Sequence, residues 1–149
     1  MAGTNEIRKQ QLIKAPPSRV WRAITDADEF GTWFRVKLES PFVVGRETSG
    51  RITHPGWEHV RFTLRTEAIE PSTRFAYRWH PYAIDTKKDY SSEPMTLVEF
   101  LLEPREGGTL LTIVESGFDQ LPPGRIDEAF RMNERGWVEQ LNNIAAHVA

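Results

Sequence analysis

Alternation of apolar and polar residues predicts β-strands along much of the chain. The pattern is clearest in HVRFTLRTEAIEP (59–71) and TRFAYRWHP (73–81), which are joined by a short turn. MTLVEFLLEP (95–104) and TLLTIVES (109–116) repeat it on either side of the turn REGG, so they predict a hairpin. EIRKQQLIK (6–14) predicts a first strand with imperfect alternation. Further short strands are expected at residues 34–39, 42–44 and 47–53.

A period of three to four residues predicts helices in three other segments. APPSRVWRAITD (15–26) predicts a short helix after two prolines, with Ser18 as its N-cap. DADEFGTWF (26–34) predicts a second short helix capped by Asp26 or Asp28. The segment 126–149 predicts one long amphipathic helix. Its stripe consists of Ile126, Phe130, Asn133, Trp137, Leu141, Ile144 and Val148.

This order of elements predicts an α+β fold in a single domain, 1–149. A curved antiparallel sheet of six or seven strands is expected to wrap around the long C-terminal helix. The two short helices follow the first strand. A sheet curled around a helix in this way can enclose a cavity that is open at one end.

Composition narrows the functional classes. The 149 residues carry a net charge of −2, which gives no global basic surface for nucleic acid. No apolar run approaches the ~20 residues needed to span a bilayer, and the N-terminus lacks the apolar stretch of a signal peptide. The absence of cysteine excludes disulfides and thiol chemistry. These features lead us to expect a cytoplasmic protein.

Several segments resemble one known family. IKAPPSRVWRAITDADEFGTWF, IEPSTRFAYRW, LVEFLLEPREGGTLLTIVESGF and NERGWVEQLNNI are similar to the activator of heat-shock chaperone ATPase homologue-like (Aha-like) family of the SRPBCC (START/Bet v-like) superfamily. The resemblance implies the helix-grip fold and a deep, mostly apolar cavity between sheet and helix. The superfamily includes lipid carriers and polyketide cyclases, and the family name implies a heat-shock chaperone as a candidate partner.

Glu115 is the principal candidate for a functional side chain. It follows Leu111 and Ile113 at the same strand parity, so its carboxylate should share their inward face. There it could accept hydrogen bonds or act as a general base with a raised pKa. The alternatives are a solvated strand end or an ion pair with a nearby arginine.

The remaining candidates line the cavity that the resemblance implies. Asn133 interrupts the apolar stripe of the long helix, so its amide either orients a ligand or bonds within the core. Apolar and aromatic side chains of the concave face and the helix should form the wall. The full set of expected ligand contacts is Phe62, Phe75, Tyr77, Trp79, Val98, Phe100, Ile113, Glu115, Phe130, Asn133 and Trp137.

The loop 81–94 is long for a hairpin connection and is expected to form a partial lid, with Tyr82, Ile84 and Tyr90 as its apolar residues. The histidines in THPGWEHV and WHPY match no zinc-binding spacing. We therefore expect no metal and no cofactor.

Three functions fit these observations. The first is binding of an apolar small molecule, such as a lipid or polyketide. The second is an acid–base enzyme acting on a polyketide-like substrate, with Glu115 as the candidate catalytic group. The third is a module that interacts with a heat-shock chaperone.

Overall fold

A computed structural model describes residues 5–83, 85 and 87–149, so Ile84 of the loop lies outside the described residues. These residues form a seven-stranded antiparallel sheet in the order β1-β7-β6-β5-β4-β3-β2. The strands are β1 Glu6–Ile13, β2 Val36–Leu38, β3 Glu47–Ile52, β4 Arg61–Glu70, β5 Arg74–Trp79, β6 Thr96–Arg105 and β7 Gly108–Ser116. The α-helices are α1 Pro17–Thr25, α2 Ala27–Phe34 and α3 Pro123–Val148. The predicted α+β helix-grip architecture is confirmed.

Two short helices connect β1 to β2, as the sequence predicts. The helix α1 begins at Pro17, a position where the missing backbone N–H of proline leaves no hydrogen bond unmade. Ser18 therefore lies inside the helix, and its expected role as the N-cap is wrong. Asp26 caps α2 by accepting a hydrogen bond from the Asp28 backbone N–H, at 3.3 Å. Gly31 is required inside α2 because a Cβ there would collide with the Val36 carbonyl oxygen.

The short strands are where prediction and structure differ most. Residues 42–44 form no strand, although Phe42 is buried among core side chains. The expected strand 34–39 is reduced to β2, because α2 continues to Phe34 and Arg35 then adopts the left-handed conformation at φ 67°. The neighbouring β3 occupies residues 47–52, close to its expected range.

The helix α3 packs against β1, α1 and α2, which places it over one side of the sheet. Trp137, Leu141 and Ile144 of its predicted stripe are buried. Aromatic rings fill the centre of the grip. The ring centroids of Phe30 and Tyr77 lie 6.4 Å apart, and those of Trp33 and Phe100 lie 6.3 Å apart. No described helix is both long and apolar enough to cross a membrane.

Candidate functional site

The carboxylate of Glu115 lies inside the protein. Leu111, Ile113 and Glu115 are all fully buried on the inward face of β7. Glu115 lies between Val98 of β6 and Ile7 of β1, which are its cross-strand partners. The alternation therefore places this side chain correctly, and the solvated and arginine-paired alternatives are wrong.

Four neutral donors surround the Glu115 carboxylate. Its Oε1 accepts hydrogen bonds from Asn133 Nδ2 at 2.9 Å and from Trp137 Nε1 at 2.8 Å. Its Oε2 accepts from Thr96 Oγ1 at 2.6 Å and from Trp79 Nε1 at 2.8 Å. Since an ionised carboxylate offers about four acceptor positions, these donors match the charged form of the group. The cluster joins β5, β6, β7 and α3 at one point.

Burial and hydrogen bonding act in opposite directions on this carboxylate. Burial raises the pKa of Glu115 above its ordinary value, and the bonds from Thr96, Trp79, Trp137 and Asn133 partly offset that rise. No cationic side chain is among its hydrogen-bond partners in the described part of the chain. The hydrogen bonds that this carboxylate accepts from the described residues therefore all come from neutral dipoles.

A cavity of about 530 Å³ lies on the solvent side of this cluster. It opens between β3, β4, the end of β5 and α3. His80 and residues of the 81–94 loop form its outer wall. Its lining is mostly aromatic and aliphatic, with a few polar groups. The main contributors are Phe34, Ile52, Val60, Phe62, Trp79, His80, Tyr82, Asp89, Tyr90 and Asn133.

A smaller recess of about 140 Å³ adjoins this cavity along α3. Phe34, Trp79 and Asn133 line both spaces, and Gly136, Trp137 and Gln140 complete the recess. The indole rings of Trp79 and Trp137 lie 5.7 Å apart. The network that binds Glu115 thus also forms part of the cavity wall.

The expected ligand contacts divide into three groups in the structure. Phe62, Trp79 and Asn133 line the main cavity, and Trp137 lines the recess. Phe130 packs against Phe118 with ring centroids 5.3 Å apart. The others are fully buried in the packed centre of the grip: Phe75, Tyr77, Val98, Phe100, Ile113 and Glu115. The open space therefore lies nearer the mouth of the grip than the sequence suggests.

Several lining residues were not identified from the sequence as ligand contacts. Phe34 is the last residue of α2 and Ile52 is the last residue of β3, where short periodic segments end. Val60 shares the parity of Phe62 in the alternating segment 59–71, and this parity could have identified it. Tyr82 and Tyr90 belong to the loop that was expected to act as a lid. Their apolar character in a polar loop was the available signal.

Arg125, at the start of α3, fastens this loop. Its Nη2 donates to the Pro81 carbonyl oxygen at 2.8 Å, its Nη1 to the Tyr82 carbonyl oxygen at 3.1 Å, and its Nε to Glu93 Oε1 at 3.0 Å. The guanidinium also lies 4.7 Å from the centre of the Tyr90 ring. Tyr82 adopts φ 49°, a conformation that non-glycine residues rarely occupy, so these bonds help to hold the loop in shape.

The described residues contain no cluster of three or more histidine, aspartate or glutamate side chains arranged to hold a metal. His80 instead bonds to the Glu93 carbonyl oxygen through Nε2, at 3.0 Å.

A curved antiparallel sheet around a long C-terminal helix, with a cavity at the mouth, defines a protein of the helix-grip class. The chain belongs to the family described as Activator of Hsp90 ATPase homolog 1-like protein, whose model matches residues 14–149. No curated protein matches the sequence significantly.

Solved structures support the fold across nearly the whole chain. Protein MLL2253 from Mesorhizobium loti is 22% identical, with a TM-score of 0.75 over 96% of each chain. The Aha1 dimer from Colwellia psychrerythraea is 17% identical, with a TM-score of 0.70 over 96% of this chain and 95% of that one. DynU16, from the dynemicin biosynthetic locus, is 23% identical, with a TM-score of 0.74 over 97% of this chain. The match covers 47% of DynU16, so the chain spans about half its length.

Proposed function

We propose that the protein binds a small, largely apolar molecule in the cavity beneath the 81–94 loop. The observation that supports this most strongly is an aromatic-lined space of about 530 Å³ directly beside a buried polar cluster. Small-molecule sites of proteins commonly have volumes of roughly 300–1,000 Å³, apolar walls and a few placed polar groups. Phe34, Phe62 and Trp79 supply the apolar wall, and Asn133 supplies a polar group.

Binding is favoured over acid–base catalysis by Glu115 because of the environment of its carboxylate. A general base needs an unoccupied lone pair within reach of the substrate proton. All four acceptor positions of Glu115 face protein donors at 2.6 to 2.9 Å, and the side chain is fully buried. We assign Glu115 a positioning role, in which it orients Trp79, Asn133 and Trp137.

The test compares two glycine variants of α3. Gly136 lines the recess, and an added Cβ there meets no atom within 4 Å, so Gly136→Leu should fold and project into the space beside Trp79. Gly124 has equally free surroundings but lines neither space, which makes Gly124→Leu the matched control.

The assay is tryptophan fluorescence during titration with a panel of lipids, aromatic polyketides and small aromatic alcohols. We expect Gly136→Leu to weaken the binding of a hit and Gly124→Leu to leave it unchanged. Equal affinities in the two variants would contradict binding beside Trp79, where the cavity and the recess meet.

A heat-shock chaperone stays a candidate partner on the strength of the family description alone. Its test is separate: the full chain is added to a purified heat-shock ATPase, and acceleration of ATP hydrolysis is measured.

A further inference from the structure

We infer that the cavity selects ligands that present a hydrogen-bond donor, such as a hydroxyl group, to the side-chain oxygen of Asn133. This inference rests on the proposed function and names the ligand chemistry of the same site. It follows from the way in which Glu115 fixes the orientation of the Asn133 amide.

The orientation of that amide is determined by its partner. Asn133 Nδ2 lies 2.9 Å from Glu115 Oε1. An ionised carboxylate accepts hydrogen bonds but cannot donate, so the amide must turn its NH₂ group towards it. The Asn133 oxygen therefore lies on the other side of the amide.

The carboxylate itself cannot turn to follow a ligand. Trp137 Nε1 shares Oε1 with Asn133, while Thr96 and Trp79 hold Oε2. These donors come from three different elements, so a rotation of the carboxylate would break several bonds at once. Asn133 thus presents a fixed amide to the cavity.

Asn133 is half-buried and lines both the cavity and the adjoining recess. Its Oδ1 receives no hydrogen bond from any described residue, whereas its Nδ2 is bound. A ligand hydroxyl or N–H that reaches this oxygen therefore gains a hydrogen bond in a wall that is otherwise largely apolar. An ether or a carbonyl in the same place gains none.

His80 adds a second acceptor to the same wall. Its Nε2 lies 3.0 Å from the Glu93 carbonyl oxygen, and because a carbonyl oxygen only accepts, Nε2 carries the hydrogen. In the neutral ring this leaves Nδ1 as an acceptor. His80 lines the cavity together with Asn133, so both side chains favour a donor on the ligand.

The charges around the cavity disfavour an anionic ligand. Glu115 lies directly behind Asn133, and Asp89 is part of the lining. Arg61 also contributes to the lining, but its guanidinium forms two hydrogen bonds with Glu39, at 2.7 and 3.0 Å. The Arg125 guanidinium, which packs on the lining residue Tyr90, is likewise paired with Glu93, at 3.0 Å. A neutral donor is therefore a better match than a carboxylate.

Three probes of one shape test the inference: 2-naphthol, 2-methoxynaphthalene and 2-naphthoate, each titrated into the full chain at neutral pH. One neutral hydrogen bond contributes about 1 kcal/mol, so we expect 2-naphthol to bind about five-fold more tightly than the ether. 2-Naphthoate should bind more weakly than 2-naphthol. Equal affinities of 2-naphthol and the ether would overturn the inference while the proposed function stands. Failure of all three to bind would overturn both.

Variants locate the effect. Asn133→Leu should abolish the preference for 2-naphthol over the ether. Gln140→Leu, which lines the recess without contacting Glu115, should retain it. Retention of the full preference in Asn133→Leu would contradict the role of this oxygen.

Glu115→Gln tests the positioning role of the carboxylate. An amide at 115 can donate to Asn133 Oδ1, which allows the Asn133 amide to reverse and present NH₂ to the cavity. The affinity ratio of 2-naphthol to the ether should then fall below that of the parent protein, a change that loss of stability alone does not produce. If Glu115→Gln fails to fold, the comparison of Asn133→Leu with Gln140→Leu decides the inference.

Discussion

Replacement of the Thr96 hydroxyl by a methyl group tests whether Glu115 is held as an anion. The Thr96 side chain is fully buried, and its hydroxyl donates to Glu115 Oε2 at 2.6 Å. Thr96→Val keeps the branched shape suited to β6 and removes only that donor. Hydrogen bonds to charged groups contribute roughly 1.5–3 kcal/mol, so the free energy of unfolding at neutral pH should fall by about 2 kcal/mol.

Thr109 provides the matched control. It is equally buried, and its hydroxyl donates to a neutral acceptor, the Ala15 carbonyl oxygen, at 2.8 Å. Thr109→Val should therefore cost about 1 kcal/mol, because a neutral hydrogen bond contributes roughly half as much. Urea unfolding of the parent and of both variants measures the two losses.

The pH dependence distinguishes the two variants more sharply. Burial raises the folded-state pKa of Glu115 above its ordinary value of 4.5. Its contribution to stability is therefore full below pH 4.5 and is lost as the pH rises through the raised folded-state pKa. Thr96→Val removes a bond that lowers this pKa, so the loss extends to higher pH.

The stability difference between Thr96→Val and the parent should consequently be small at low pH and increase only as the pH rises through the raised folded-state pKa of Glu115 in the parent. Thr109→Val should show a constant difference, since Ala15 O does not titrate. Other carboxylates cancel because each variant is compared with the parent at the same pH. Equal and pH-independent losses in both variants would refute an ionised, dipole-stabilised Glu115.

Three further predictions concern the loop, a surface cluster and α3. Arg125→Met should speed amide hydrogen exchange in the 81–94 loop and shorten ligand residence, because the loop loses three hydrogen bonds. Unchanged exchange would contradict the role of Arg125 in fastening the loop. Although burial alone would raise the pKa of Glu29, hydrogen bonds from Arg19 and His147 lower it to about 2. Glu29→Gln should therefore remove stability that is present above pH 4.5 and lost as the pH falls towards 2, which acid titration of parent and variant measures. Gly136→Ala should raise the stability by up to about 1 kcal/mol, because alanine favours the helix and its Cβ meets no atom within 4 Å; a lower melting temperature would contradict that geometry.

The long-range features of the fold were readable from periodicity. The stripe of α3 and the alternation in β4 to β7 each extend over enough residues to define a buried face. The strand predicted at 42–44 is wrong because three residues are too few to define a period. Phe42 lies in a loop, and its side chain is buried in the core. Short segments depend on tertiary contacts that local patterns do not encode.

Only part of the candidate site could be predicted from the sequence, because the rest depends on tertiary contacts. Strand parity was sufficient to place Glu115 inside. Its donors, however, lie 18 to 36 residues away in the chain, so their convergence depends on register and helix docking. The cavity was expected too deep in the grip, because the rings of Phe30 and Trp33 fill the space around Tyr77 and Phe100.

The five tryptophans make the central claim directly measurable. Titration of ¹⁵N-labelled protein with 2-naphthol, followed through the indole N–H resonances, reports on separate parts of the molecule. Trp79 and Trp137 line the proposed site, whereas Trp21 and Trp57 do not. Binding in the cavity predicts saturable shifts of Trp79 and Trp137 with Trp21 and Trp57 unchanged. Saturable shifts confined to Trp21 or Trp57 would contradict it.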